Sequence, residues 1–297
     1  MVQGSVLLKH MNTNTSLIII SYNDGDLSSE LAKKVKDHKA FDHIVLVNNG
    51  STDNTLELMQ KARETAPDKI TVISAPDNGG YAKGNNFGIR YALKHFHSDY
   101  IFVANPDAYF TDDTALACLD AIKKHPEYGL VAPIVNQGYN VWDLPGFSGL
   151  IESMFLIIYN LHKKAIKDRL VRSKKTIKRV GVVDGSFFVM SAKAYKQAGG
   201  MDERTFLYCE EMILSYRLML QGYYVGVLPK ERYDHLHSTT IKKLNNNSKA
   251  KAFRHFHRSY KIYNKYYLHT GPLQNLIFEA AYFLALLERV IYDHIPH

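Results

Sequence analysis

A chain of 297 residues, 46% hydrophobic and 22% charged, buries a sizeable core, which excludes large-scale disorder and suits one large domain with an appendage. Its two cysteines, Cys118 and Cys209, lack any CxxC spacing, which argues against a disulfide framework or a structural zinc site and points to a reducing compartment. The net charge of +8 is concentrated: nine Lys or Arg and one acid, Asp168, lie from Lys163 to Arg179, eight basic residues and no acid lie from Leu236 to Thr270, and the remainder sums to about −8.

At the N-terminus, MVQGSVLLKHMNTNTSLIII lacks the basic start, long apolar stretch and small-residue cleavage site of a secretory leader, so the protein is expected in the cytoplasm. The first 135 residues then alternate short apolar runs with helix-like stretches, the pattern of a mostly parallel sheet with crossover helices. Strands are expected at Leu17–Ser21, Ile44–Val47, Ile70–Ser74 and Tyr100–Ala104, and helices around Leu27–Lys36, Thr55–Thr65 and Gly84–His95. Asn54 or the neighbouring Thr55 is placed to cap the second helix, with Glu57 in its first turn.

Open α/β sheets bind ligands beyond the carboxyl ends of their strands. The four strands end in SYND (Ser21 to Asp24), VNNGSTD (Val47 to Asp53), PDNGG (Pro76 to Gly80) and NPD (Asn105 to Asp107), all facing one rim. Each is also an acceptable turn sequence, but four on one rim favour a binding edge. Asp107 is placed there to hold Mg2+ or Mn2+, which prefer oxygen ligands and bridge carboxylates to phosphates; the alternative is a plain Asn-Pro-Asp turn.

From Gly138 to Gly149 the chain is rich in Gly, Pro and aromatics, and it leads into the apolar stretch SMFLIIYNL and the first basic run. That stretch and AAYFLALL near Leu284 both fall short of the roughly 20 residues that span a bilayer. Regular α/β signal resumes at Val180–Met190. Downstream, Gly199-Gly200 suits a tight turn, and Glu210 and Glu211 open a segment whose Leu214, Leu218 and Met219 have helical spacing. A carboxylate at that start is placed to act as general base toward a hydroxyl, or simply to complement the helix dipole.

From His235 onward the chain reads as a basic, aromatic, helical extension. Glu279 and Glu288 fall on opposite helical faces, so the last segment lacks a clean amphipathic stripe and is expected to pack on the main domain or on a second copy of the chain. Each basic run is either a solvated face or a contact with an anionic surface. Their position beside apolar segments favours the cytoplasmic leaflet, which attracts Lys and Arg by about 1 kcal/mol per residue; nucleic acid is not expected, since no recognition motif accompanies the charge.

Taken together, YN, NNGSTD, NGGYAKGNNFG, NPDA, DGSFFV and GGMDERTFLYCEE followed by a late His resemble the second family of inverting glycosyltransferases with the A-type nucleotide-binding fold, rhamnosyltransferase-like branch, over about Ser16 to Ser238. The resemblance implies a Rossmann-like mostly parallel sheet flanked by helices, a catalytic domain over 1–235 with a variable acceptor- or membrane-facing insertion at 136–180, and a helical extension over 236–297. It implies that Tyr22, Asp24 and Asn48 hold the base and ribose of a nucleotide diphosphate sugar, that Gly79, Gly80, Lys83 and Asn86 approach the diphosphate, that Asn105 belongs to the same nucleotide-binding set, and that Asp107 binds the metal. Glu211 is implied as the base with Glu210 as its neighbour, and His235 (or His237) as the late histidine near the metal. The acceptor implied is a lipid-linked saccharide in bacterial cell-surface polysaccharide synthesis. Asn48-Asn49 stands where the family usually has Asp-Asn, and Met212 stands where it usually has an acid. The rival readings are a non-catalytic membrane-associated scaffold and a nucleotidyltransferase.

Overall fold

Strands whose residues are apolar without alternation are buried on both faces, so they belong to the middle of a sheet covered on each side by helices. In the computed structural model, which describes residues 13–136, 140–171, 173–236 and 248–294, the chain does this. The strands β1 (Thr15–Ser21), β2 (His43–Asn48), β3 (Ile70–Ser74) and β4 (Tyr100–Ala104) run parallel, joined by the crossover helices α1 (Gly25–Val35), α2 (Thr55–Glu64) and α3 (Gly80–His95). After them come β5 (Ala108–Tyr109), α4 (Asp112–Lys124), β6 (Tyr128–Val135), β7 (Val141–Trp142), α5 (Phe147–Ser153), α6 (Leu156–Val171), β8 (Lys178–Val180), β9 (Val182–Val183) and β10 (Phe187–Ser191). The chain continues through α7 (Ala192–Gln197), α8 (Glu210–Leu220), β11 (Tyr224–His235), α9 (Lys249–Tyr263), a π-helical turn at Asn264–Leu268 and α10 (Pro272–Asp293).

The nine-stranded sheet has the order β3-β2-β1-β4-β10-β6-β11-β5, with β8 also paired to β11. β10 is antiparallel to both β4 and β6, while β11 is parallel to β6. Leu17 and Ile19 of β1 pack under α1, α2 and α4, whose Leu31, Met59 and Cys118 share that layer. Ile18 and Ile20 face the opposite layer, with Ile89 of α3 and Leu214 and Leu218 of α8. A third core joins Leu150, Met154, Cys209 and Ile213 to Phe253, Tyr263, Tyr267 and Phe278, so the C-terminal helices rest on the segment after β6 and on α8.

Local chemistry accounts for most element ends. Thr111 caps α4 by accepting from Thr114 N at 3.2 Å, and Asp112 and Asp113 against Lys123 and Lys124 match its dipole. Asn54, expected as a cap, makes no side-chain cap hydrogen bond: at ψ 13° it sits in a turn rather than extended, and Asp53 Oδ1 accepts from Thr55 N at 3.0 Å instead. The third helix begins at Gly80 rather than Gly84, because Asn78 Oδ1 accepts from Gly80 N at 3.1 Å and starts the helix through residues that read as a turn.

Among the described residues no helix is long and apolar enough to cross a membrane. One face of α10 buries Phe278, Ala281 and Ala285, while Leu276, Phe283, Leu284, Leu287 and Ile291 are exposed, as are Ile157 and Leu161 of α6. His237, Ser238, Lys242 and Lys243, together with the N-terminal stretch through Asn12, lie outside the described residues.

Candidate active site

Parallel pairing puts the ends of β1, β2, β3 and β4 on one rim, and the antiparallel β10 begins at that rim, with Phe187 opposite Ala104. Asp184, Gly185 and Ser186 therefore join the predicted residues there, and Asn105 N donates to Ser186 O at 2.8 Å. β11 ends at the same place, with His235 opposite Ala108.

Asp107 is 5% exposed, and its Oδ1 lies 3.2 Å from His235 Nε2. Burial lowers the pKa of His235, but the hydrogen bond and charge of Asp107, with the charge of Asp184, outweigh it and leave the imidazole raised. One carboxylate and one imidazole at a buried rim fit a divalent cation that takes its other ligands from phosphate and water. No group of three His, Cys, Asp or Glu converges among the described residues.

Glu211, in the first turn of α8, reaches back to the turn before β10: its Oε1 accepts from Gly185 N at 3.1 Å. Gly185 is the residue that allows this approach, since a Cβ there would stand 2.5 Å from that oxygen. Burial, then the charge of Asp184, push the Glu211 carboxyl up to about 7. Glu210, 1% exposed, is raised well above the carboxylate range by burial and by Glu211. Ahead of the pair, Tyr208 and Cys209 both hold left-handed backbone, φ 71° and 70°. Strain of this kind in non-glycine residues gathers at functional sites.

On the far side of the rim Asn48 is buried, accepting from Ser51 N at 3.1 Å and donating to Ser74 Oγ at 3.3 Å, beside the half-buried Tyr22 and Asp24. Asn49 ties this turn to the next by donating to Asn78 Oδ1 and Gly80 O. Gly80, at φ 86°, lies against Phe206 O, where a Cβ would come within 2.2 Å, and Gly79 precedes it. Two predicted residues point elsewhere. Lys83 pairs with Asp77 at 2.8 Å on the exposed outer edge. Asn86 is turned inward: it donates to Met201 O and Glu203 and accepts from Tyr195 and Met201 N, so it holds the Gly199–Gly200 turn. Asp184, at the head of the DGSFFV motif, and Tyr81, whose hydroxyl donates to Gly185 O at 2.5 Å, were given no role from sequence, because only the strand direction of β10 reveals that Asp184 and Gly185 join this rim.

The chain matches the family model described as Glycosyl transferase family 2 over residues 16–199. It is 28% identical over 219 residues to the low-salt glycan biosynthesis hexosyltransferase Agl10 of Haloferax volcanii, covering 73% of this chain and 65% of that protein. It is 26% identical over 211 residues to the N-acetylglucosaminyl-diphospho-decaprenol L-rhamnosyltransferase of Mycobacterium tuberculosis, covering 66% of this chain and 67% of that one. The chain thus spans about two thirds of the length of these relatives. The mannosyltransferase PcManGT of Pyrobaculum calidifontis, solved with GDP-Man and Mn2+, superposes with a TM-score of 0.58 at 16% identity, covering 94% of this chain and 73% of that structure. That likeness shows the glycosyltransferase A-type fold, a mostly parallel sheet flanked by helices with C-terminal helices added. With the family model matched across more than half of its length, the chain belongs to glycosyl transferase family 2.

Proposed function

We propose that the chain is a metal-dependent, inverting transferase that moves a sugar, with rhamnose the first candidate, from a nucleotide diphosphate to a hydroxyl of a lipid-linked saccharide in cell-surface polysaccharide synthesis. The observation that carries this reading is Glu211, a half-buried carboxylate held by the Gly185 amide and lining one cavity with Asp184 at the rim that bears Asp107 and His235.

The acceptor hydroxyl oxygen attacks the anomeric carbon, the bond from that carbon to the diphosphate oxygen breaks, and the hydroxyl proton passes to Glu211. The Gly185 amide fixes Oε1, so Oε2 is the oxygen left to take the proton. A carboxyl raised toward neutrality is a stronger base than an ordinary one while still ionised in a useful fraction. Asp107 and His235 would hold a divalent cation, which when bound would supply positive charge against the departing diphosphate. Tyr22, Asp24 and Asn48 are assigned to base and ribose, and Gly79 and Gly80 to the diphosphate; Asn105 fixes the Asp107 loop through Ser186. A single displacement inverts the anomeric centre.

The rhamnosyl and lipid-linked parts rest on the Mycobacterium tuberculosis relative's name. Contact with the inner leaflet is supported by the exposed Leu284, Leu287 and Ile291 of α10 and Ile157 and Leu161 of α6, with basic residues on α9 nearby in the chain. The domain reading is kept with the same limits, 1–235 catalytic and 236–297 an extension. The test is release of nucleoside diphosphate from a panel of donors, with Mg2+ or Mn2+. Wild type should act on one donor and Asp107→Ala should not; release unaffected by Asp107→Ala would sink the metal assignment, and no release from any donor, with lipid acceptors present, favours the scaffold.

A further inference from the structure

Beside Glu211 a cavity of about 970 Å³ runs between the body of the protein and α9. Its wall is aromatic: Trp142, Tyr208, Phe253, Phe256 and Tyr260 line it, with Tyr208 stacked on Phe256 at 3.8 Å between ring centres. The α9 residues in this wall fix its direction. Ser259 Oγ donates to Leu207 O at 2.9 Å, so the Tyr260 end of the helix abuts the loop leading to Glu211. Lys249, eleven residues earlier, lies about 16 Å away along the helix axis at 1.5 Å per residue. Between the two ends Arg289 of α10 joins the cavity lining over Phe253, one turn in from Lys249.

Arg289 is 7% exposed, deep for a side chain that is always charged. Its guanidinium lies 3.7 Å from the Phe253 ring centre, and Nη1 donates to Ala285 O at 3.0 Å. Glu288 is the one acid within ion-pair distance among the described residues, at 3.5 Å, and its carboxylate also accepts from Leu156 N at 3.1 Å, which commits it to the start of α6. Nε and Nη2 have no acceptor among the described residues. Burial penalises the charge enough to lower the pKa of the group. A planar fork with donors toward an apolar cavity matches a phosphate, which it binds through paired N–H groups.

We infer that this cavity is the acceptor site and that Arg289 selects acceptors bearing a phosphate ester beside an apolar group, the saccharide lying toward Glu211. The inference rests on the transferase reading for the word acceptor, but the binding it requires does not. Asp143 and Glu152 also line the cavity, and they disfavour a free multivalent anion entering without an apolar part.

Trp142 is the single tryptophan of the chain and lines the cavity, so its fluorescence reports occupancy without turnover. The probes are farnesyl diphosphate, farnesol and inorganic pyrophosphate, titrated with chelator so that no metal bridges them to the rim. Farnesyl diphosphate should change the Trp142 signal at a concentration at least tenfold below farnesol or pyrophosphate. Arg289→Gln should weaken farnesyl diphosphate about tenfold and leave farnesol unchanged, with Arg289→Lys between. Equal binding of farnesol and farnesyl diphosphate, equal binding of pyrophosphate, or an unaltered Arg289→Gln overturns the proposal. If Arg289→Gln does not fold, Ala252→Phe, which fills the wall from α9, decides: unchanged farnesyl diphosphate binding rejects the site. Asp107→Ala should keep this binding. Probe binding in a protein that turns over no donor rejects the transferase reading alone, and turnover without probe binding rejects this one alone.

Discussion

Glu211 lines the cavity with one oxygen held by an amide, whereas its neighbour Glu210 is sealed beneath it, with Oε1 lacking a hydrogen-bond partner among the described residues. The two acids are therefore separable by experiment. Glu211→Gln should cut kcat by a factor on the order of 100 or more with little change in donor KM, the range removal of a positioned base produces. Wild-type turnover should rise with pH through about 7 and level off above it, because only the ionised carboxylate accepts a proton. A flat profile between pH 5.5 and 8.5 under conditions where chemistry limits the rate argues against the assignment. Glu210 has the opposite signature. Its folded pKa lies above the unfolded one, so the neutral form contributes stability that is complete below the ordinary carboxylate range and is lost as pH rises from there through the raised folded pKa. Glu210→Gln should melt higher than wild type at pH 8, by about 2–4 °C for each kcal/mol recovered, and match it near pH 4. A lower melting temperature at pH 8 would show that Glu210 is held charged.

Among the elements, those that local pattern determines were legible. β4 occupies the expected Tyr100–Ala104, since an uninterrupted apolar run has no other stable place than a covered sheet, while β3 keeps the expected Ile70–Ser74 as a half-buried edge strand beside β2. The start of α3 was hidden because Gly79-Gly80 carries turn chemistry, and only the Phe206 loop, far along the chain, shows why glycine is needed. Asn86 reads like the rim asparagines but points inward, because helical phase places it over Tyr195 and Met201. The left-handed Tyr208–Cys209 pair and the cavity beside it come from long-range packing of α9 and α10, which no window of sequence contains. Gly80→Ala tests one such contact: the positive φ and the approach to Phe206 O should together destabilise the protein by about 1–3 kcal/mol in urea unfolding and raise donor KM. Unchanged stability would mean that the 206 loop yields freely.

For the whole molecule, basic and apolar surface occur together at the C-terminal helices, where α9 carries Lys251, Arg254 and Arg258 and α10 exposes Leu284, Leu287 and Ile291. Vesicles containing anionic lipid should float the protein, and raising the salt from 0.1 to 1 M should release much of it as the Debye length falls from about 10 to 3 Å. Retention by neutral vesicles alone, indifferent to salt, would leave the apolar helix face as the whole cause, and no retention would remove the membrane from the account. The sheet order also has a temporal side. β1 to β4 leave the ribosome in sequence and can pair as they emerge, but the turn into β10, which sets Ser186 against Asn105, and β11, which sets His235 against Asp107, are made much later. A nascent chain can therefore assemble the strands assigned to the nucleotide while it still lacks one partner of the proposed metal pair and the base on α8. The protein is built so that the half proposed to grip the donor is synthesised before the half proposed to spend it, and a ribosome stalled before β11 would display a sheet unable to turn over.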